Sequence, residues 1–392
     1  MKQIYMDNSA TTPVDPRVFQ AMKPYLTEEF GNPSSIHRMG QAARNGIETA
    51  REQVARLINA SPEEIIFTSG GTEADNLAIL GLLETMPPQG QNIITSAIDH
   101  HAVLDTINHL SRVGYDVTVL PVNRYGMVEP ETLQKALKPN TVLVSIMHAN
   151  NEVGTIQPVK QLAAIARRAG AIFHTDAVQS VGRIPVDVED LGVDMLSCSS
   201  HKFYGPKGVG CLYIKKGTPL NRRVYGGSQE RKLRTGTENV PGIVGLGMAA
   251  EIAKDVMDES IKQLQDLALD LSTRLLKEIP GAVLTGDPVH RIPGHVSLCF
   301  KEVDGESILM MLDQAGIMAS GGSACTSGSL DPSHVLMALG LPREVANGSI
   351  RLSLGRFNTR DDVDYVVETL PGIIERLRKS PRHTMLPQGN QN

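Results

Sequence analysis

The chain has 392 residues, 41% hydrophobic and 21% charged, with a formal net charge of −5. That length exceeds what one hydrophobic core comfortably fills, so two domains are expected, and the composition excludes a disordered or fibrous protein. The bulk charge gives no sign of a nucleic-acid-binding surface.

The opening segment MKQIYMDNSATTP lacks the apolar stretch of a secretory signal. From about residue 36, helical and strand patterns alternate. In GIETAREQVARLI, the residues Ile47, Ala50, Val54, Leu57 and Ile58 share one helical face. The short apolar run EEIIFTSG then reads as a buried strand, followed by a helix over 73–83. Strand NIITSAI, a helix over 103–110, and strands YDVTVLPV and TVLVSIMHAN continue the series. A helix over 159–168 and strands AIFHTDA and VDMLSCSS complete it. Strands separated by single helices pair in parallel with right-handed crossovers, which predicts a doubly wound α/β sheet. GVGCLYIKK follows without an intervening helix and reads as an antiparallel addition.

Beyond Asn239 the pattern changes. A long helix begins near Ile243, and Ile261, Leu264, Leu267, Leu271, Leu275 and Ile279 continue at helical spacing. Residues 242–253 are short, glycine-rich and ended by Lys254 and Asp255, which is not a membrane span. Then come the strand HVSLCF, a helix over 306–315, a glycine-rich loop around Cys325 and a last helix over 361–379. The fold class predicted is α/β, a large, mostly parallel domain with a smaller α+β domain. The large domain is placed at 15–255; the small one takes 1–14 and 256–392 and carries the Cys325 loop. Cys198, Cys211, Cys299 and Cys325 are scattered with no C-x-x-C pair, which argues against disulfides or structural zinc and fits a reducing cytoplasm.

Three motifs fall between strands and helices. Ser69-Gly70-Gly71-Thr72-Glu73 can turn tightly and offer free N–H groups and a helix dipole to a phosphate. Alone it reads more readily as a plain turn with a Thr cap. It has neither the Walker spacing nor G-x-G-x-x-G, which disfavours nucleotides. Asp176, with Gln179 nearby, stands at the C-terminal end of a buried strand, where α/β sheets bind ligands. A carboxylate there can hold a proton on a pyridine nitrogen, or it can simply cap the next segment. Ser199-Ser200-His201-Lys202 ends another strand; a buried lysine there has a depressed pKa and can form a Schiff base with an aldehyde. Phosphate cradle, ring-nitrogen carboxylate and aldehyde-binding amine, in that order on one sheet, describe a pyridoxal phosphate site.

The motifs DNSATTP, FGNPSSIH, FTSGGTEADN, HANNEVGTIQP, HTDAVQ, SSHKFYGPKGVG, RTGTEN, GSACT within SGGSACTSGS, and RLSLGRFNT are spread from residue 7 to residue 359, within a resemblance that covers roughly residues 4 to 380. In them the chain resembles the cysteine desulfurases of the NifS/IscS group, in the class V aminotransferase branch of fold type I pyridoxal-phosphate enzymes. The resemblance implies that Lys202 carries the cofactor and that Asp176 pairs with its ring nitrogen. It further implies Gln179 and Asn151 near the phenolic oxygen, and His100 stacked on the ring and moving protons. Gly71, Thr72, Ser199, Ser200 and His201 are implied at the cofactor's phosphate end, with Thr237 reaching across from the other subunit of a homodimer. Arg356, helped by Asn151, is implied to clamp the substrate carboxylate, a role suited to a planar guanidinium.

Cys325 separates desulfuration from transamination. The resemblance implies that its thiolate takes sulfur from L-cysteine, leaving L-alanine and a persulfide. The sulfur then goes to an iron–sulfur scaffold of the NifU/IscU type. No metal is implied in the resting enzyme, although Cys325 is a candidate transient ligand of a nascent cluster. A selenocysteine lyase or an aminotransferase on the same fold is the rival reading, and a hydrolase pairing Cys325 with His334 is disfavoured by the glycine loop.

Overall fold

The computed structural model describes residues 2–86, 90–321 and 332–379. The chain enters through a short strand β1 (Ile4–Tyr5) and two helices, α1 (Pro16–Thr27) and α2 (Arg38–Ile58). Helix α2 buries the predicted stripe of Ile47, Ala50, Val54, Leu57 and Ile58, and ends at Asn59 with a φ of 54°. Asn tolerates that left-handed conformation better than most residues.

Six further strands then alternate with helices: β2 (Ile65–Thr68), α3 (Gly71–Leu83), β3 (Asn92–Ser96), α4 (His101–Arg112), β4 (Asp116–Leu120), α5 (Pro130–Ala136), β5 (Thr141–Ser145), α6 (Val159–Arg168), β6 (Ile172–Asp176), α7 (Val188–Leu191) and β7 (Met195–Ser199). With β8 (Gly210–Ile214) they form a seven-stranded sheet in the order β2-β8-β7-β6-β5-β3-β4. Strand β8 runs antiparallel to both its neighbours, as expected of a strand joined to β7 without a helix, and the other strands are parallel. Strands β2, β3 and β7 are buried throughout, which is why their sequences read as continuous apolar or small-residue runs rather than alternations.

Helix α8 spans Val240–Glu278, a single helix of 39 residues capped by the Asn239 side chain on Gly242 N–H. Its first half joins the core of the large sheet through Ile243, Leu246, Ala249 and Ala250. Its second half joins another core through Leu264, Leu267 and Leu271. Gly247 lets α8 approach α2 closely, since a Cβ there would lie 2.5 Å from Ala50 Cα. The rest comprises β9 (Ala282–Leu284), β10 (His295–Phe300), α9 (Gly305–Gln314), β11 (Ile317–Met318), α10 (His334–Ala338), α11 (Arg343–Ala346), β12 (Ser349–Ser353) and α12 (Arg360–Lys379). Strands β12, β10 and β9 form an antiparallel sheet, and β11 pairs in parallel with β1. Thus the first residues of the chain are held beside the last third. No described helix is long and apolar enough to cross a membrane.

Candidate active site

A cavity of about 330 Å³ opens where the parallel strands end, and its wall includes Gly71, Thr72, Asp75, His100, Asn151 and Asp176. Gln179, Ser199, His201 and Lys202 also line it, with Ser9, Ala10 and Arg351 from the first and last parts of the chain. This is the crevice beyond the carboxyl ends of a doubly wound sheet, where topology leaves room for a ligand.

The turn from β2 into α3 builds one end. Gly70 supplies no side-chain cap, so the first N–H groups of α3 are left for an anion. A Cβ at Gly71 would come 2.6 Å from Val178 Cγ2, so a residue with a side chain would crowd this end of the cavity. Thr11, Ser69, Thr72, Ser199, His201 and Lys207 surround the adjoining mouth. His201 Nδ1 lies 3.1 Å from Thr11 Oγ1, and burial followed by the Lys202 charge pulls the imidazole down to about 4.

Asp176 ends β6 and is buried, with Oδ1 accepting from Val178 N–H at 2.9 Å. Burial pushes its carboxyl up to about 6, opposed by that backbone donor and by the Lys202 charge. Lys202 follows β7 and donates from Nζ to Ser9 O at 2.7 Å and Ala10 O at 2.8 Å. Gln179 donates to Ser9 O at 3.0 Å and accepts from Arg183. His100 caps α4, its Nδ1 accepting from Ala102 N–H at 3.1 Å. Burial, then Lys202, lowers this imidazole to about 4, so at neutral pH it is uncharged with its proton on Nε2.

Three predicted residues stand elsewhere. Ser200 is buried, but it is not part of the cavity wall, and its Oγ has no hydrogen-bond partner among the described residues. Thr237 is exposed and away from its own chain's cavity, although nearby Arg234 is tied to Glu73 at 3.0 Å. Arg356 is not part of the main cavity wall. Its Nη2 donates to Asp15 at 2.7 Å and its guanidinium lies 4.1 Å from the Tyr204 ring centre, beside a separate small cavity shared with Lys202.

Arg351 occupies the main cavity wall instead. It is 2% exposed, with Nη1 on Asn151 O and Nη2 on Asp7 Oδ1, both at 2.8 Å, while Nε–H has no partner among the described residues. The signal for it was strand alternation. In β12, Ile350 and Leu352 enter the core, which turns Arg351 to the opposite face. Cys325 lies outside the described residues, but the chain on either side of its loop is placed. Ser320 pairs through its backbone with Arg351, and the Ser333 hydroxyl donates to the buried Glu152.

The cavity matches pyridoxal phosphate group by group: an anion cradle at a helix start, a buried carboxylate, an amine and an imidazole. The comparisons agree. The chain belongs to the aminotransferase class-V family, which matches residues 4–366. It is 51% identical over 377 residues to "Cysteine desulfurase IscS" of Dictyoglomus turgidum, covering 96% of both chains. It is 52% identical to a protein of the same name from Methanosarcina thermophila, covering 96% of this chain and 93% of the relative. Among solved structures, a "NifS-like protein" superposes with a TM-score of 0.91 at 42% identity, over 96% of this chain and all of the other. The chain is therefore a pyridoxal-phosphate protein of the cysteine desulfurase group.

Proposed function

We propose that the chain is a cysteine desulfurase that moves the sulfur of L-cysteine onto the Cys325 thiol, releasing L-alanine. The balance is thiol plus cysteine giving persulfide plus alanine, with no external oxidant. The observation that carries this reading is the convergence of Asp176, Lys202, His100 and Arg351 on one cavity. When bound, pyridoxal phosphate supplies an aldehyde for the substrate amine and a ring that draws electron density from the α-carbon. Gly71, Thr72, Ser199 and His201 would hold its phosphate, Asp176 would keep a proton on the ring nitrogen, and Gln179 and Asn151 would serve the phenolic oxygen. Lys202 would hold the aldehyde, and its amine, once free, would take the substrate α-proton. His100, which burial and Lys202 keep neutral, would pass a proton at its Nε2. Cys325 attacks the substrate sulfur. We further read the enzyme as a cytoplasmic homodimer whose Thr237 completes the partner's phosphate site, with an iron–sulfur scaffold of the NifU/IscU type as acceptor.

Incubation with L-cysteine and a thiol reductant tests the reaction. Alanine and sulfide should appear in equal amounts without a keto acid; pyruvate, or dependence on a keto acid, would mark an aminotransferase or another lyase.

Arg351, not Arg356, is assigned to the substrate carboxylate. Hydrogen bonds to charged groups contribute about 1.5–3 kcal/mol. Arg351→Lys should therefore lower kcat/KM for L-cysteine by about ten- to a hundredfold, mainly through KM. Arg356→Lys should change KM several times less, since that guanidinium is not part of the main cavity wall. The reverse ranking would return the clamp to Arg356.

A further inference from the structure

Asp99 immediately precedes His100 and is fully buried in the turn between β3 and α4. Its Oδ2 accepts from Thr95 Oγ1 at 2.9 Å, and from Ser96 N–H and Ser96 Oγ, both at 2.8 Å. Its Oδ1 accepts from Met147 N–H at 2.7 Å, just beyond the end of β5. Four donors thus converge on one carboxylate. The two N–H groups can only donate, so the place suits a group that accepts at both oxygens. Joining β3 to β5 does not call for it, because the two strands already pair through their backbones as far as Thr95 and Ser145.

What these bonds hold is the cavity wall. Met147 and His100 both line it. Two residues before the imidazole, Ile98 O accepts from Asn150 Nδ2 at 3.0 Å, and Asn150 adjoins the wall residue Asn151. On its other side His100 leads into α4. Its carbonyl accepts from Val103 and Leu104 N–H at 2.8 and 3.0 Å, and its Nδ1 accepts from Ala102 N–H at 3.1 Å. The imidazole is therefore held from behind by the helix and from in front by the turn that Asp99 fixes. Asp99 O also lies 3.2 Å from Nε2 of His334, the first residue of α10.

We propose that Asp99 is the positioning residue for His100: its carboxylate joins the end of β3 to the Met147 stretch and so sets where the imidazole enters the cavity. This rests on the proton-moving role given to His100. Proton transfer needs its partners within hydrogen-bond reach, and a displacement of about 1 Å can cost about 10²-fold. Asp99→Asn keeps the size of the side chain but turns one accepting oxygen into an amide donor. Whichever way the amide lies, the N–H of Ser96 or of Met147 then faces another donor. The turn must shift, and His100 with it.

The test uses cofactor-loaded enzyme carrying nitrogen-15-labelled histidine. The ring signals of His100, identified by their absence in His100→Gln, should move in Asp99→Asn. Those of His37, which caps α2, and of His290, beside Asp287, should stay. Unmoved His100 signals, or signals that move alike at every histidine, would overturn the proposal. Turnover gives a second readout through a double-mutant cycle. Asp99→Asn should lower kcat for L-cysteine by about 10- to 100-fold while KM stays within about threefold. In a His100→Gln background the same change should cost less than about threefold, because coupled residues are not additive. A loss as large there as in wild type would overturn the proposal. Should Asp99→Asn not fold, Thr95→Val is isosteric and removes one bond of the four. It should cost several-fold in kcat alone and nothing beside His100→Gln, and additive losses would again overturn the proposal. Should His100→Gln turn over as wild type does, the proton-moving role fails, and the ring signals still decide whether Asp99 sets that imidazole.

Discussion

Lys202→Ala should lower turnover of L-cysteine by about 10⁴-fold or more, while the folded state survives. The lysine does two jobs in the proposed reaction: it anchors the cofactor's aldehyde and it is the base for the α-proton. Correctly placed general bases alone contribute about 10²–10⁴-fold, and loss of the anchoring amine adds to that. The fold does not depend on this side chain, because no hydrophobic cluster includes it. What is lost locally is the pair of bonds from Nζ to Ser9 O and Ala10 O. The 9–10 segment should therefore loosen, with faster amide exchange there and unchanged far-ultraviolet circular dichroism. Cofactor should remain bound through the α3 start and Asp176, but its visible absorbance should lose the wild-type band and become removable by dialysis. A variant that still produced sulfide at near the wild-type rate would show that Lys202 is not the anchoring amine.

Strands β2, β3 and β7 were legible because they are buried on both faces. IIFT, NIITS and MLSCS can be read as strands from composition and bounding turns; NIITS and MLSCS pair in parallel as expected, whereas IIFT lies at the sheet's edge and pairs antiparallel with β8. The two-residue strands β1 and β11 were not legible, since neither is long enough to show a period, and their pairing joins residues 4–5 to 317–318. Among site residues, Asp176 and Lys202 could be placed because each ends an apolar strand. The two arginines of RLSLGRFNT could not be told apart by motif alone. Which one faces the cavity depends on the β10–β12 register and on Asp15, which is far away in sequence.

Cys325→Ser should abolish turnover while leaving substrate binding intact. The substitution keeps nearly the same volume but exchanges a soft nucleophile for a hydroxyl that does not ionise near neutral pH. In the proposed reaction substrate capture depends on Lys202, Asp176 and Arg351, so L-cysteine should still perturb the cofactor's visible absorbance. Alanine and sulfide formation should nevertheless fall by more than about 10³-fold, the scale set by removing a nucleophile. The placed ends of the segment make this assignment physically reasonable. Ser320 is paired with Arg351, and Ser333 with Glu152 beside Asn151, so both ends are fixed next to the cavity. Cys325 is five residue steps from Ser320, a reach of at most about 17 Å. The other thiols are poor candidates. Cys198, Cys211 and Cys299 are fully buried, and burial pushes Cys299 up to about 12. A brief pulse of alkylating reagent on the native protein should therefore label Cys325 ahead of these three. Mass spectrometry after a short exposure to L-cysteine should find an added sulfur on the Cys325 peptide alone. Extra sulfur on Cys198, Cys211 or Cys299, or a serine variant that turned over normally, would move the persulfide elsewhere.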